Sequence, residues 1–175
     1  MKKFIFSLLT VLMASAGFSQ SAFDKYMDSD DVGVVVINKS MLGIVAEMSD
    51  ANNKEAKDFI DMAKKIDEIK VFVSNNAEAT ADMRSTLKGH LKKSSMEELM
   101  KVKDGDASVN FYIKSSNNDE VVNEFLMFVS GMDDNNKNFE TVVVTMSGEI
   151  ELSKVGALVN KLNLPDHMHK AHKKK

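Results

Sequence analysis

The sequence predicts an α+β fold: one domain built on a mixed, mostly antiparallel β-sheet, with amphipathic helices packed on one face. Three observations carry that expectation. Apolar residues recur at three- and four-residue spacing over residues 53–65 and 77–93, which is the period of one helix face. From residue 97 onward, short β-branched or alternating segments follow one another across brief turns, and consecutive strands joined that way pair antiparallel. Every linker is short, and no internal repeat divides the 175-residue chain.

The chain opens with Lys2 and Lys3, an apolar run from Phe4 to Met13, and then small residues from Ala14 to Ser19. That run is too short to cross ~30 Å of hydrocarbon as a helix. Basic, apolar and small in that order is the layout of a secretory signal peptide, so residues 1–19 are expected to be removed. Gly17 and Ser19 suit cleavage after Ser19; Ala14-Ser15-Ala16 offers an alternative cut. The expected product is exported to a periplasmic or extracellular space, with no transmembrane segment. There are no cysteines, which excludes a disulfide framework, a thiolate metal site, a cysteine nucleophile and a lipidated mature N-terminus.

Charge sharpens the reading. Removing Lys2 and Lys3 from the 23 basic residues leaves 21 against 26 acidic ones, a net −5. Setting aside Lys170, Lys173, Lys174 and Lys175 leaves 17 against 26, so the body carries −9. An acidic body argues against nucleic acid, because phosphate contacts need clustered Lys and Arg.

The elements follow in order. Ser21–Asp31 is polar, with Phe23, Tyr26 and Met27 at helical spacing, and reads as a short helix or arm. Val32–Asn38 (VGVVVIN) is a β-branched run, near-continuously apolar, as a strand buried on both faces would be. Ser40–Met48 is a short amphipathic helix weakened by Gly43. Asn53–Lys65 is a helix with Ala56, Phe59, Ile60, Ala63 and Ile66 on its stripe. Glu68–Asn75 is a strand with Ile69, Val71 and Val73 on one face. Ala77–Lys93 is a long helix, capped by Asn76 and faced by Ala79, Met83, Leu87 and Leu91.

Leu99–Lys103 and Ser108–Lys114 flank Asp104-Gly105-Asp106, a hairpin turn signal. Val121–Ser130 is ambiguous: Asn117 and Glu120 resemble a helix capping box, while Phe125, Met127 and Val129 alternate as in a strand. Gly131–Asn138 is rich in turn residues. Phe139–Met146 is a strand, and Ser147-Gly148 is expected to turn the chain into a last helix, Val155–Leu162, stopped by Pro165. The domain is thus expected over residues 20–165, with 166–175 a solvated His/Lys tail.

VVVINKSML, EELMKVKDGDASVNFYIKSSNNDEVVNEFLMFVSG and VVVTMSGEIELSKVGALV together resemble the secreted bacterial family catalogued as domain of unknown function 4252. The resemblance covers roughly Ser21 to Leu162. It implies that Val121–Ser130 is a strand, and it suggests a role in envelope stress or surface sensing. The family has no assigned activity, so the resemblance carries over no catalytic or cofactor-binding residue.

The residues themselves offer few chemistries. His167, His169 and His172 beside Asp166 have a spacing that a flexible chain could wrap around Zn(II), Cu(II) or Ni(II), and they are the candidate metal ligands. A plain solvated terminus explains the same residues. Asp28, Asp30 and Asp31 lack the glycine and glutamate of a calcium loop. His90 on the long helix could act as a general base, although no partner motif points at it. Glu97-Glu98 and Glu149 with Glu151 are carboxylate pairs that could do acid–base work if a pocket joined them. No P-loop, G-x-S-x-G, H-E-x-x-H or dinucleotide fingerprint is present, and no cofactor is expected. Eleven methionines follow the signal segment, suited to core filling or to a greasy binding surface. The expected function is a non-enzymatic binding or accessory protein of the bacterial envelope. Its partner would be an envelope protein or a small apolar ligand. The rivals are a carboxylate-dependent hydrolase or isomerase, and a sensory protein that pairs through an exposed strand.

Overall fold

The computed structural model describes residues 21–49, 54–105, 107–116, 120–131 and 141–155. Among these residues six strands form one sheet: β1 (Gly33–Asn38), β2 (Ile66–Ser74), β3 (Glu97–Asp104), β4 (Ala107–Ser115), β5 (Val121–Ser130) and β6 (Thr141–Glu151). Three helices accompany them: α1 (Lys39–Glu47), α2 (Lys54–Lys65) and α3 (Ala77–Lys93). The strand order is β1-β2-β6-β5-β4-β3, and every neighbouring pair is antiparallel. The α+β class therefore holds, and the sheet is antiparallel throughout its described strands rather than mixed. Val121–Ser130 is a strand, as the resemblance implies.

The helices do not share one face. Val71, Val144 and Met127 point into a cluster with Leu42 and Ala46 of α1 and Phe59, Met62 and Ala63 of α2. Phe72, Val143, Leu126 and Phe128, the alternate residues of the same strands, point into a second cluster with Met83 and Leu87 of α3. Side chains alternate along a strand, so a strand apolar at consecutive positions needs cover on both sides. VFV, VVV and FLMFV in β2, β6 and β5 meet that condition, and the helices divide accordingly. Phe59 and Val71 are both buried, as their sequence positions suggest.

The N-terminal segment belongs to the second cluster. A 3₁₀ turn at Asp24–Tyr26 seats Phe23, fully buried, and Tyr26 against Phe72. The Tyr26 hydroxyl donates to Asp82 at 2.8 Å and bonds Thr86 at 2.8 Å, which ties the segment to α3.

Two local features depart from the sequence reading. β1 lies at the edge of the sheet, and Val35 and Val36 are half exposed rather than buried on both faces. An unbroken apolar run reports the two side-chain faces of a strand and does not distinguish a central strand from an edge. Ser147-Gly148 does not turn the chain. The strand runs on to Glu151, and Gly148 sits at a bulge opposite Ile66–Glu68, with φ +128°. A Cβ there would lie 2.6 Å from the Lys65 carbonyl oxygen and 2.8 Å from the Asp67 nitrogen, so the backbones can approach only because residue 148 is glycine. After β6, a 3₁₀ turn covers Leu152–Lys154; the expected helix beyond Val155 and the tail lie outside the described residues. The expected signal segment, residues 1–19, lies outside them too.

Candidate functional site: an open sheet edge and a polar cleft

The two outer strands of the sheet are built differently. β3 carries Glu97, Glu98, Lys101, Lys103 and Asp104 and has a bulge between Glu98 and Met100. Charges and bulges are the usual means of keeping an edge from pairing with another chain. β1 has neither. Gly33–Asn38 contains no charged residue, and its pairing to β2 runs in unbroken register from Gly33 opposite Val73 to Asn38 opposite Glu68. Val35 is 52% exposed and Val36 47%.

Helix α1 extends this apolar surface. The Asn38 side chain accepts a hydrogen bond from the Met41 N–H at 3.0 Å, so the strand ends and the helix begins at the same residue. Leu42 and Ala46 face the core, whereas Met41, Ile44 and Met48 are exposed. Their three- and four-residue spacing makes a second stripe on the helix, pointing away from the first. Of the methionines, Met62, Met83, Met127 and Met146 fill the core, while Met41, Met48 and Met100 are exposed.

A cleft opens at one end of the α3 face. His90, on the last turns of α3, lines it together with Glu68, Lys70, Glu124, Thr145 and Ser147, and with apolar walls that include Met96 and Leu126. Strand register places these residues in rows. Lys70 stands opposite Thr145, and Thr145 opposite Leu126; Glu68 stands opposite Ser147, Ser147 opposite Glu124, and Glu124 opposite Lys114. Lys70 is buried, and its ammonium is held by Glu68 at 2.7 Å and Asp24 at 2.9 Å. Burial works against that charge, but the two carboxylates outweigh it and the Lys70 pKa is raised. Lys114 pairs with Glu124 at 2.7 Å. Burial lowers the pKa of His90; the Glu124 charge opposes the shift and Lys114 adds to it. The imidazole is therefore neutral at pH 7, able to accept or donate a single proton. The cleft volume is about 70 Å³, roughly half of the ~150 Å³ that admits a benzene ring. It has room for a few waters or a very small polar molecule.

The structure thus brings His90 to two carboxylates, Glu68 and Glu124, that the sequence reading did not single out. The signal was the alternation of Glu68 and Lys70 with Ile69 and Val71, which puts both charges on one face of β2. The carboxylates that the sequence did suggest lie elsewhere. Glu149 and Glu151 both hold Lys65 at 2.7 Å beside the Gly148 bulge, and Glu97 accepts from the Ser115 hydroxyl at the β3 edge. Asp31 accepts from the Asn76 side chain at 3.2 Å, at the entry to α3. His167, His169 and His172 lie outside the described residues, and among the described residues no group of three or more His, Asp or Glu could hold a metal ion. No helix among the described residues is long and apolar enough to cross a membrane.

No curated protein and no solved structure matches the chain. A family model does, over residues 26–158, which is well over half of the sequence and includes the open edge, His90 with Glu68, Lys70 and Glu124 of the cleft, and every described strand. On that match the chain belongs to the family described as Domain of unknown function (DUF4252).

Proposed function

We propose that this protein is an exported, non-enzymatic binding or accessory protein of the bacterial cell envelope, acting through a protein–protein contact made by β1 and α1. The open edge carries the reading. An uncharged, bulge-free strand with half-exposed valines, flanked by a helix showing Met41, Ile44 and Met48, is the kind of surface that strand addition uses. The small cleft argues the same way, because it leaves little room for an enclosed ligand. Export rests on the basic, apolar and small segments of residues 1–19.

Two measurements test the reading. Replacing Leu8 and Leu9 with Lys should leave the unprocessed precursor in the cytoplasm; normal export of that variant defeats the localisation. A photo-crosslinking residue at Met41 or Ile44 should give protein adducts in the source cell, and Val35→Lys should abolish them while the fold persists. Adducts unchanged by Val35→Lys would defeat the docking role of the edge.

One observation favours a second reading, a small hydrolase or isomerase: His90, Glu68 and Glu124 meet at one cleft. Turnover of a generic ester, phosphate or glycoside that disappears in His90→Ala would establish it.

A further inference from the structure

We infer that the occupant of the β1 edge is the β1 strand of a second copy of this chain, the two sheets joining antiparallel across a two-fold axis at Val35. The inference rests on the docking reading above and names the partner. In an antiparallel pair related by a two-fold axis perpendicular to the sheet, one residue faces its own counterpart, and the others pair symmetrically about it. Centred on Val35, that register sets Val34 against Val36 and Gly33 against Ile37. Every such pair is uncharged, and the cross-strand valine contacts are of the kind that stabilises sheets.

The flanks decide the register and favour a second copy over an unrelated strand. Asp31 lies four residues before Val35 and Lys39 four residues after it. Pairing about Val35 sets the turn that carries Asp31 in each copy beside the start of α1 that carries Lys39 in the other, twice over. Both groups are exposed, and the bonds they already make, Asp31 with Asn76 and Lys39 with Asp67 at 2.9 Å, are themselves exposed. A strand uncharged along its length, with opposite charges on its two flanks, is complementary to itself. The six residues of β1 alone are only ~20 Å of edge, little for a stable interface of ~800 Å² a side. α1 supplies more. It packs on the same face as Val35, and an axis perpendicular to the sheet keeps both copies of α1 on one side. Met41, Ile44 and Met48 then add apolar area beside the strands. The opposite edge, β3, is charged and bulged, so the assembly closes at two copies instead of growing into a ribbon.

The test uses the absence of cysteine from the chain. Light scattering after size exclusion should give twice the single-chain mass for the wild type, and the single-chain mass for Val35→Lys with its circular dichroism unchanged. Val35→Cys should form a disulfide-linked dimer under mild oxidation, because each residue 35 faces its counterpart. Val36→Cys should not, since residues 36 of the two copies are offset beyond the ~7 Å that a disulfide spans. Asp31→Lys should weaken the dimer at low salt, and adding Lys39→Asp should restore it. A wild type with the mass of one chain at every concentration overturns the inference, as does equal crosslinking at positions 35 and 36. If the chain is a monomer but Val35→Lys still removes the adducts of Met41, the second copy is wrong and the docking edge stands. If neither mass nor adducts respond to Val35→Lys, both fall.

Discussion

Gly148 shows how a single residue can set a fold. It lies where β6 presses against the bulge of β2, with φ +128° and three backbone atoms within 3 Å of where a Cβ would be. Those neighbours are main chain and cannot swing aside. Gly148→Ala should therefore destabilise the protein by about 2–3 kcal/mol, read from urea unfolding, against a few tenths for an ordinary exposed site. Gly89→Ala is the control: a Cβ there meets nothing within 4 Å, and in the helix interior alanine should be neutral or stabilising. His90 tests the electrostatics of the cleft. Its pKa is lowered in the fold, mainly by burial, so below its ordinary value near 6.5 the unfolded chain takes up the proton more readily than the folded one. The contribution of His90 is intact above that pH and is lost as pH falls below it. Unfolding free energies at pH 7.5 and 5.5 should thus differ more for wild type than for His90→Gln; equal differences would mean that the imidazole is fully solvated.

At the scale of elements, the caps and periods in the sequence were good guides. Asn76 accepts from the N–H groups of Glu78 at 2.9 Å and Ala79 at 3.0 Å, so α3 begins where its sequence says. Asn76→Ala should cost about 1 kcal/mol in thermal or urea unfolding, the usual worth of such a cap. The Asp104-Gly105 turn falls between β3 and β4, with Gly105 at φ +59° as the tight reversal demands. What could not be read was which strands lie outermost. VGVVVIN looks the same to a periodicity argument whether its second side meets a neighbouring strand or solvent, because the period reports side-chain faces and carries nothing about edges. The same limit applies to the cleft. Glu68, Lys70, Glu124 and His90 come from three separate elements, and only the strand order brings them together. A local pattern can place each on a face but cannot make them neighbours. The division of helices between two faces was legible in principle, since three strands are apolar at consecutive positions, yet the sequence alone does not say which helix crosses which side.

In the whole molecule, the two core clusters share the central strands, so loss of packing on either side loosens the other through the same backbone. The order β1-β2-β6-β5-β4-β3 has a consequence in time as well as in space. Of the described strands, the last to leave the ribosome is the one that joins the two halves of the sheet. Until β6 arrives, β1–β2 and β3–β4–β5 can exist only as separate ribbons, with one edge of β2 and one edge of β5 left open. Non-local pairing of that kind is slow, because the closure entropy comes before the contacts that offset it. A chain ending at residue 140 should accordingly fail to fold, giving no cooperative melting transition and binding a hydrophobic dye; a cooperative transition in that truncation would contradict the argument. If the chain is exported as proposed, crossing the membrane as an extended thread, a keystone strand made after the other five described strands is an advantage. The described sheet cannot close into one piece before β6 has been made.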